Sequence, residues 1–369
     1  MAGKGKDTAL NDSIDDILAD DLTTFIASKE EREQLEHNAI VVMDDPEEIL
    51  GLPPQKFKQV ALLLLALQNS LAVLLMYYCR STAGEFSFFF QTAVILQEFI
   101  KLGISGGVLV ATEGSVASAF SEPVEAFKAA AVAVLFLVKN IMQWAVIGMT
   151  EAPTFALAYQ IKIVWSAVIA VYGLGGTVTA IRWLGLVLLV VGVAAVQIAS
   201  VERSMSDSEA RLNQVEASMF IVTAAALSAA GSTYFDKILS ESKPISLWAR
   251  NVQLSLFSLV ASIVPLILTG DLTLIQRHGF FFGYTAMTWL CVLMNALGGL
   301  LVGMVIKHAD TKDKDVAMGG SILLITLASV AMFHFELTVL FAFGLISVLN
   351  GILLYGERAF CLNFRSDTT

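Results

Sequence analysis

Pro153-Thr154-Phe155-Ala156-Leu157-Ala158-Tyr159-Gln160-Ile161-Lys162-Ile163-Val164-Trp165-Ser166-Ala167-Val168-Ile169-Ala170-Val171-Tyr172-Gly173 is apolar apart from one charge, Lys162. At about 1.5 Å per residue a helix of this length spans roughly 30 Å, the thickness of a bilayer's hydrocarbon core. A bare ammonium at that depth costs between about 3 and 10 kcal/mol or more. A chain keeps such a charge where an anion or a water-filled cavity meets it. Glu98, Lys101, Lys139 and Arg250 also lie in or against apolar runs. The pattern predicts a membrane protein whose interior receives an anion.

Composition leads to the same class. The chain of 369 residues is 56% hydrophobic and 15% charged, with a mean hydropathy of +0.72, outside the range of soluble globular proteins. Its net charge of −10 belongs to one end, because residues 1–50 hold 14 Asp/Glu against 4 Lys/Arg. The remainder is neutral, so the acidity does not argue against an anionic substrate. Cys79, Cys291 and Cys361 are scattered and the four histidines do not cluster, so neither a disulfide framework nor a metal site is expected. No cleavable signal is expected either: the first apolar run begins near Phe57, behind acidic sequence.

Ten apolar segments follow, at roughly 58–78, 86–110, 128–149, 153–173, 180–200, 217–239, 246–269, 284–306, 317–334 and 336–355. The expected fold is therefore an all-α integral membrane protein with ten transmembrane helices. His334-Phe335-Glu336 has to turn the chain between the last two. With the N-terminus in the cytosol, eleven Lys/Arg near span ends fall on the cytosolic side and four (Arg80, Arg203, Arg211, Arg277) on the other. Both termini are thus placed in the cytosol. The polar stretch 201–216 divides the spans five and five, and an odd number per half inverts one half relative to the other. The domain reading is an acidic tail over 1–56, a first five-helix half over 57–200, a connector over 201–216 on the non-cytosolic side, a second half over 217–356 and a C-terminal tail over 357–369. Gly185 and Gly192 in span 5, and Gly344 and Gly351 in span 10, are each seven apart on one helical stripe. Such a stripe admits a close backbone, either in a homodimer through spans 5 and 10 or within one chain.

No phosphate-binding Gly-x4-Gly-Lys-Ser/Thr loop, catalytic triad or paired catalytic carboxylates stand at useful spacing, so neither an enzyme nor ATP-driven transport is expected, and no cofactor. The chemistry-bearing residues lie inside the spans. Glu98 and Lys101 are three apart and can pair on one helix face. Lys139, Asn140 and Gln143 share span 3, Tyr159, Gln160 and Lys162 share span 4, and Arg250, Asn251 and Gln253 share span 7. Cations, amides and aromatics together suit a ligand with phosphate, hydroxyls and a flat base. Each of these residues taken singly can equally serve an interhelical hydrogen bond.

Several stretches stand out in order along the chain: Tyr159-Gln160-Ile161-Lys162, Arg182-Trp183-Leu184, Gly192 to Gln197, Tyr234 to Leu239, Leu247 to Leu254, Gly279 to Thr285, and Gly298 to Leu300 with Lys307 to Asp310. On these stretches the chain, from residue 57 to 356, resembles the nucleotide-sugar transporters of the drug/metabolite transporter superfamily, the group that carries CMP-sialic acid, UDP-galactose and UDP-N-acetylglucosamine. The resemblance implies a multi-pass antiporter of the Golgi membrane that brings a nucleotide sugar into the lumen and returns the nucleoside monophosphate. It also implies that Lys101, Lys162, Lys307, Asn140 and Asn251 face the substrate. The chain departs from the family pattern at Phe155, usually Tyr, and at Lys139, usually Gln. Ser255 and Phe257 replace residues associated with CMP-sialic acid, and 308–315 is more charged than usual. These departures favour a UDP-sugar over CMP-sialic acid. A transport-inactive scaffold that uses the acidic tail, and a carrier of another phosphorylated metabolite, stay open.

Overall fold

In the computed structural model residues 54–81, 88–173, 175–204, 208–241, 245–308 and 311–356 are described. The acidic tail up to Pro53, the middle of the 201–216 stretch and the C-terminal tail lie outside them. The described chain is helical, without a strand. Its helices are α1 (Pro54–Ser81), α2 (Phe90–Glu113), α3 (Pro123–Val146), α4 (Ala152–Gly173), α5 (Ala180–Arg203), α6 (Ser208–Glu241), α7 (Leu247–Leu268), α8 (Asp271–His278), α9 (Ala286–His308), α10 (Thr311–Phe333) and α11 (Val339–Tyr355). Eight of them are long and apolar enough to cross a membrane, whereas Ala286–Val302 in α9 and Val339–Tyr355 are shorter apolar stretches. Each of the ten apolar segments has become a helix. The connector is shorter than its polarity suggests, because α5 continues to Arg203 and α6 begins at Ser208.

Apolar side chains cover the outside of the bundle as well as its core. Leu63, Val187 and Leu327 are 60%, 55% and 65% exposed, while Leu65, Leu189 and Ile325 are almost wholly buried. Exposure of large aliphatics on this scale is unfavourable in water and expected against lipid tails. Helix ends carry ordinary stop and start chemistry. Gly114 closes α2 in the left-handed region (φ 81°), and Ser246 and Thr338 accept backbone N–H bonds at the starts of α7 and α11. His334 takes φ 54° in the turn between α10 and α11, where the sequence required one.

Half-buried polar side chains join helices far apart in sequence. Asn69 Nδ2 donates to Ser321 Oγ at 2.8 Å, joining α1 to α10. Gln68 Nε2 donates to the Met294 carbonyl at 2.8 Å, joining α1 to α9. The Gln68 amide occupies the space that a side chain at Gly298 would need. Such bonds in a membrane contribute about 0.6–2 kcal/mol each. Cys79 and Cys291, unrelated by spacing, lie in one buried cluster where α1 meets α9.

The glycine stripes face each other within one chain, the second of the two packings that their spacing allows. A Cβ at Gly185 would lie 2.8 Å from the Gly351 carbonyl, and one at Gly192 would lie 2.8 Å from the Gly344 carbonyl. The reciprocal distances, from Gly351 to Gly185 and from Gly344 to Gly192, are 2.7 and 2.8 Å. α5 and α11 thus approach backbone to backbone, and this stripe is not available to a second copy.

Candidate functional site

α2 turns one polar face inward. Gln97, Glu98 and Ser105 are buried, and Glu98 is 1% exposed. Lys101, one turn on, reaches back so that its Nζ lies 2.7 Å from Glu98 Oε1. Its aliphatic stem rests on Gly299 of α9, where an added Cβ would come within 3.1 Å of Lys101 Cδ. Glycine there lets the lysine lie flat against the neighbouring helix. The second oxygen of Glu98 is buried without a hydrogen-bond partner, as are Gln97 Oε1 and Ser105 Oγ.

α3 contributes Lys139, whose Nζ donates to Gln143 Oε1 at 3.4 Å, and half-buried Asn140 beside it. The charges of Lys101, Lys162 and Glu98 all act on Lys139. Lys139 thus lies within electrostatic reach of two ammonium groups on two other helices and of the Glu98 carboxylate.

α4 is irregular where it enters this cluster. It is α-helical over Ala152–Ala158, tightens to a 3-10 turn over Tyr159–Ile161 and resumes at Lys162. It ends in a π-turn over Ile169–Gly173. Mid-helix 3-10 and π turns leave backbone hydrogen bonding loose and mark places where a helix bends. The Phe155 and Tyr159 rings stack at 5.5 Å between centroids, and Lys162 Nζ lies 5.6 Å from the Tyr159 centroid. The Tyr159 hydroxyl faces Ser228 of α6. Nearby Gln160 Oε1 and Trp165 Nε1 are buried without partners.

α7 separates its three polar residues into two tasks. Asn251 Nδ2 is buried without a partner. Arg250 is 1% exposed and donates to the Glu125 carbonyl and to Gln253 Oε1, both at 3.2 Å. Its Nη2 lies 3.5 Å from Glu125 Oε2. Gln253 in turn donates to the Ala119 carbonyl. Arg250 and Gln253, grouped by sequence with the interior cavity, are instead engaged in fastening α7 to the start of α3 and the turn before it. Lys307 lies on α9, and its side chain is outside the described residues.

Glu98, Lys101, Lys139 and Lys162 are thus brought into one electrostatic cluster, with Tyr159 beside Lys162 and Asn140 beside Lys139. Sequence reading passed over Ser228, which has no signal of its own among the small residues of α6. It also passed over the Glu151–Arg203 pair, whose members stand in two separate span ends. A helical bundle with several half-buried lysines among its apolar spans has the build of a membrane carrier for anions.

The chain belongs to the nucleotide-sugar transporter family, whose sequence profile matches residues 53–356. The UDP-galactose transporter of Schizosaccharomyces pombe is 33% identical over 317 residues, covering 83% of this chain and 88% of that one. The UDP-galactose translocator of Homo sapiens is 34% identical over 82% of this chain and 77% of its own length. The UDP-N-acetylglucosamine transporter of Homo sapiens is 33% identical over 81% and 95%. A solved crystal structure shares the fold, with a TM-score of 0.50 at 13% identity over 79% of this chain and 96% of that one.

Proposed function

We propose that the protein exchanges a UDP-sugar, UDP-galactose or UDP-N-acetylglucosamine, for a nucleoside monophosphate across the Golgi membrane. In this reading ten spans form two inverted five-helix halves with both termini cytosolic, and the ligand binds between the halves. The observation that carries it is the charge of the interior cluster. Lys101 and Lys162 both act on Lys139, and Lys101 pairs with Glu98. A UDP-sugar pyrophosphate and a nucleoside monophosphate each bring about two negative charges, so either ligand can meet these ammonium groups and offset their cost in the bilayer. An empty carrier then reorients poorly and a loaded one readily, which is the condition for obligatory exchange.

The remaining site residues follow the ligand's chemistry. Lys101, Lys162 and Lys307 meet phosphate, with Glu98 orienting Lys101. Asn140 and Asn251 read the edge of the pyrimidine, and Tyr159 offers a ring for stacking. The names of the relatives support the UDP-sugar class for this chain.

The test is ligand-induced stabilisation of the purified protein. UMP and the two UDP-sugars at 100 times their Kd should stabilise it by about 2.7 kcal/mol, visible as a raised Tm. Lys101→Ala and Lys162→Ala should remove the shift while unfolding with a similar Tm in the absence of ligand. Equal shifts in both variants and the parent would remove these lysines from the site.

A further inference from the structure

A second polar constellation lies where α4 begins, α5 ends and α10 turns into α11. A cavity of about 310 Å³ there is lined by Tyr77, Glu151, Arg203, Ser329, His334 and Glu336, among others. Arg203 connects its walls. Its Nη2 lies 2.7 Å from Glu151 Oε2 at the head of α4 and 3.3 Å from Thr154 Oγ1. Nη1 donates to the Glu336 carbonyl at 3.0 Å, and the guanidinium lies 4.7 Å from the Phe335 centroid. A single side chain at the end of α5 thus holds both the head of α4 and the α10–α11 turn. The Ser329 hydroxyl, facing this cavity from α10, is buried without a partner.

Two features make this contact more than a strut. α5 is fused to α11 by the glycine seam, where added Cβ atoms would meet backbone at 2.7–2.8 Å, so these helices and their turn form a stiff unit. α4, by contrast, is interrupted at Tyr159–Ile161, directly between Glu151 and the lysine cluster. Parting of Arg203 from Glu151 would remove the polar tie on the head of α4, leaving Ala152–Ala158 held by its buried packing. Any bend at the 3-10 segment would displace Tyr159 and Lys162 beside it.

We propose that Arg203 and Glu151 form the gate at one mouth of the transport path, closed in this structure, and that the head of α4 is the moving part. Gating in this sense rests on the transport reading above, but the opening itself is measurable without transport. In a background with Cys79, Cys291 and Cys361 replaced by alanine, Ser329→Cys would be labelled in the purified protein with a bulky maleimide. Arg203→Gln and Glu151→Gln should each raise its labelling rate by at least about tenfold, the effect of a one-decade shift in the opening equilibrium. The charge swap, Glu151→Arg with Arg203→Glu, should return the rate toward the starting value, an outcome that a misfolded protein would not produce. Unchanged labelling in both single variants, with Tm preserved, would overturn the gate. Increased labelling in a protein that exchanges no nucleotide would keep the gate and overturn the transport reading.

Discussion

A methyl group added at Gly185 probes whether α5 and α11 are one unit. Its Cβ would stand 2.8 Å from both the Gly351 carbonyl and the Tyr355 amide, and 3.1 Å from Leu354 Cβ. These are backbone atoms for the most part, so no rotamer change relieves them. To reach an ordinary contact of about 3.4 Å the helices must separate by about 0.6 Å, which loosens packing along the whole seam. Overpacking of this kind costs about 1–3 kcal/mol, or a fall in Tm of roughly 1–4 °C for a protein of this length. Gly192→Ala meets the Gly344 carbonyl and the Val348 amide at the same 2.8 Å and should cost as much. One displacement serves both, so the double variant should lose less than the sum. Gly107→Ala is the control, with nothing within 4 Å of its added Cβ, and should leave Tm unchanged or raise it by about 1 °C. The assay is tryptophan-fluorescence unfolding of purified protein, with its mass in detergent measured in parallel. An unchanged Tm together with conversion of a dimer to a monomer would refute the intrachain seam and restore the glycines to an interface between copies.

Other residues yield narrower expectations. Lys139→Gln removes the cation on which Lys101 and Lys162 both act and should weaken binding of UMP, read as a smaller thermal shift at fixed ligand. Arg250→Met removes the buried donor to the Glu125 carbonyl and to Gln253 Oε1 while Glu125 keeps Lys128 at 2.8 Å, and should destabilise the protein by about 1–3 kcal/mol, checked by denaturation, with ligand recognition retained in whatever protein folds.

Much of the fold was legible because a bilayer demands long apolar segments, and these are visible without knowing their neighbours. The turn at His334 was legible for the same reason, since two spans left no other residues to reverse the chain. The interior cations were legible because a charge such as Lys162 in an apolar run needs a counterpart. Which helix supplies the counterpart is a matter of tertiary packing. Periodicity gives the polarity of a helix face but not its partner, so Arg250 read like Lys162 although Glu125 at the start of α3 already holds it. The glycine stripes likewise announced a close backbone without saying whose. The gate was invisible because Glu151 and Arg203 each stand at a span end, where a lone charge is unremarkable.

Exchange in liposomes tests the central claim most directly. Protein reconstituted into vesicles preloaded with UMP or CMP would be supplied with labelled UDP-galactose, UDP-N-acetylglucosamine or CMP-sialic acid. The account predicts uptake of a UDP-sugar that depends on internal UMP and disappears in Lys101→Ala and Lys162→Ala. Folded protein that takes up none of these substrates against either nucleotide, or whose uptake is unchanged in both lysine variants, would contradict it.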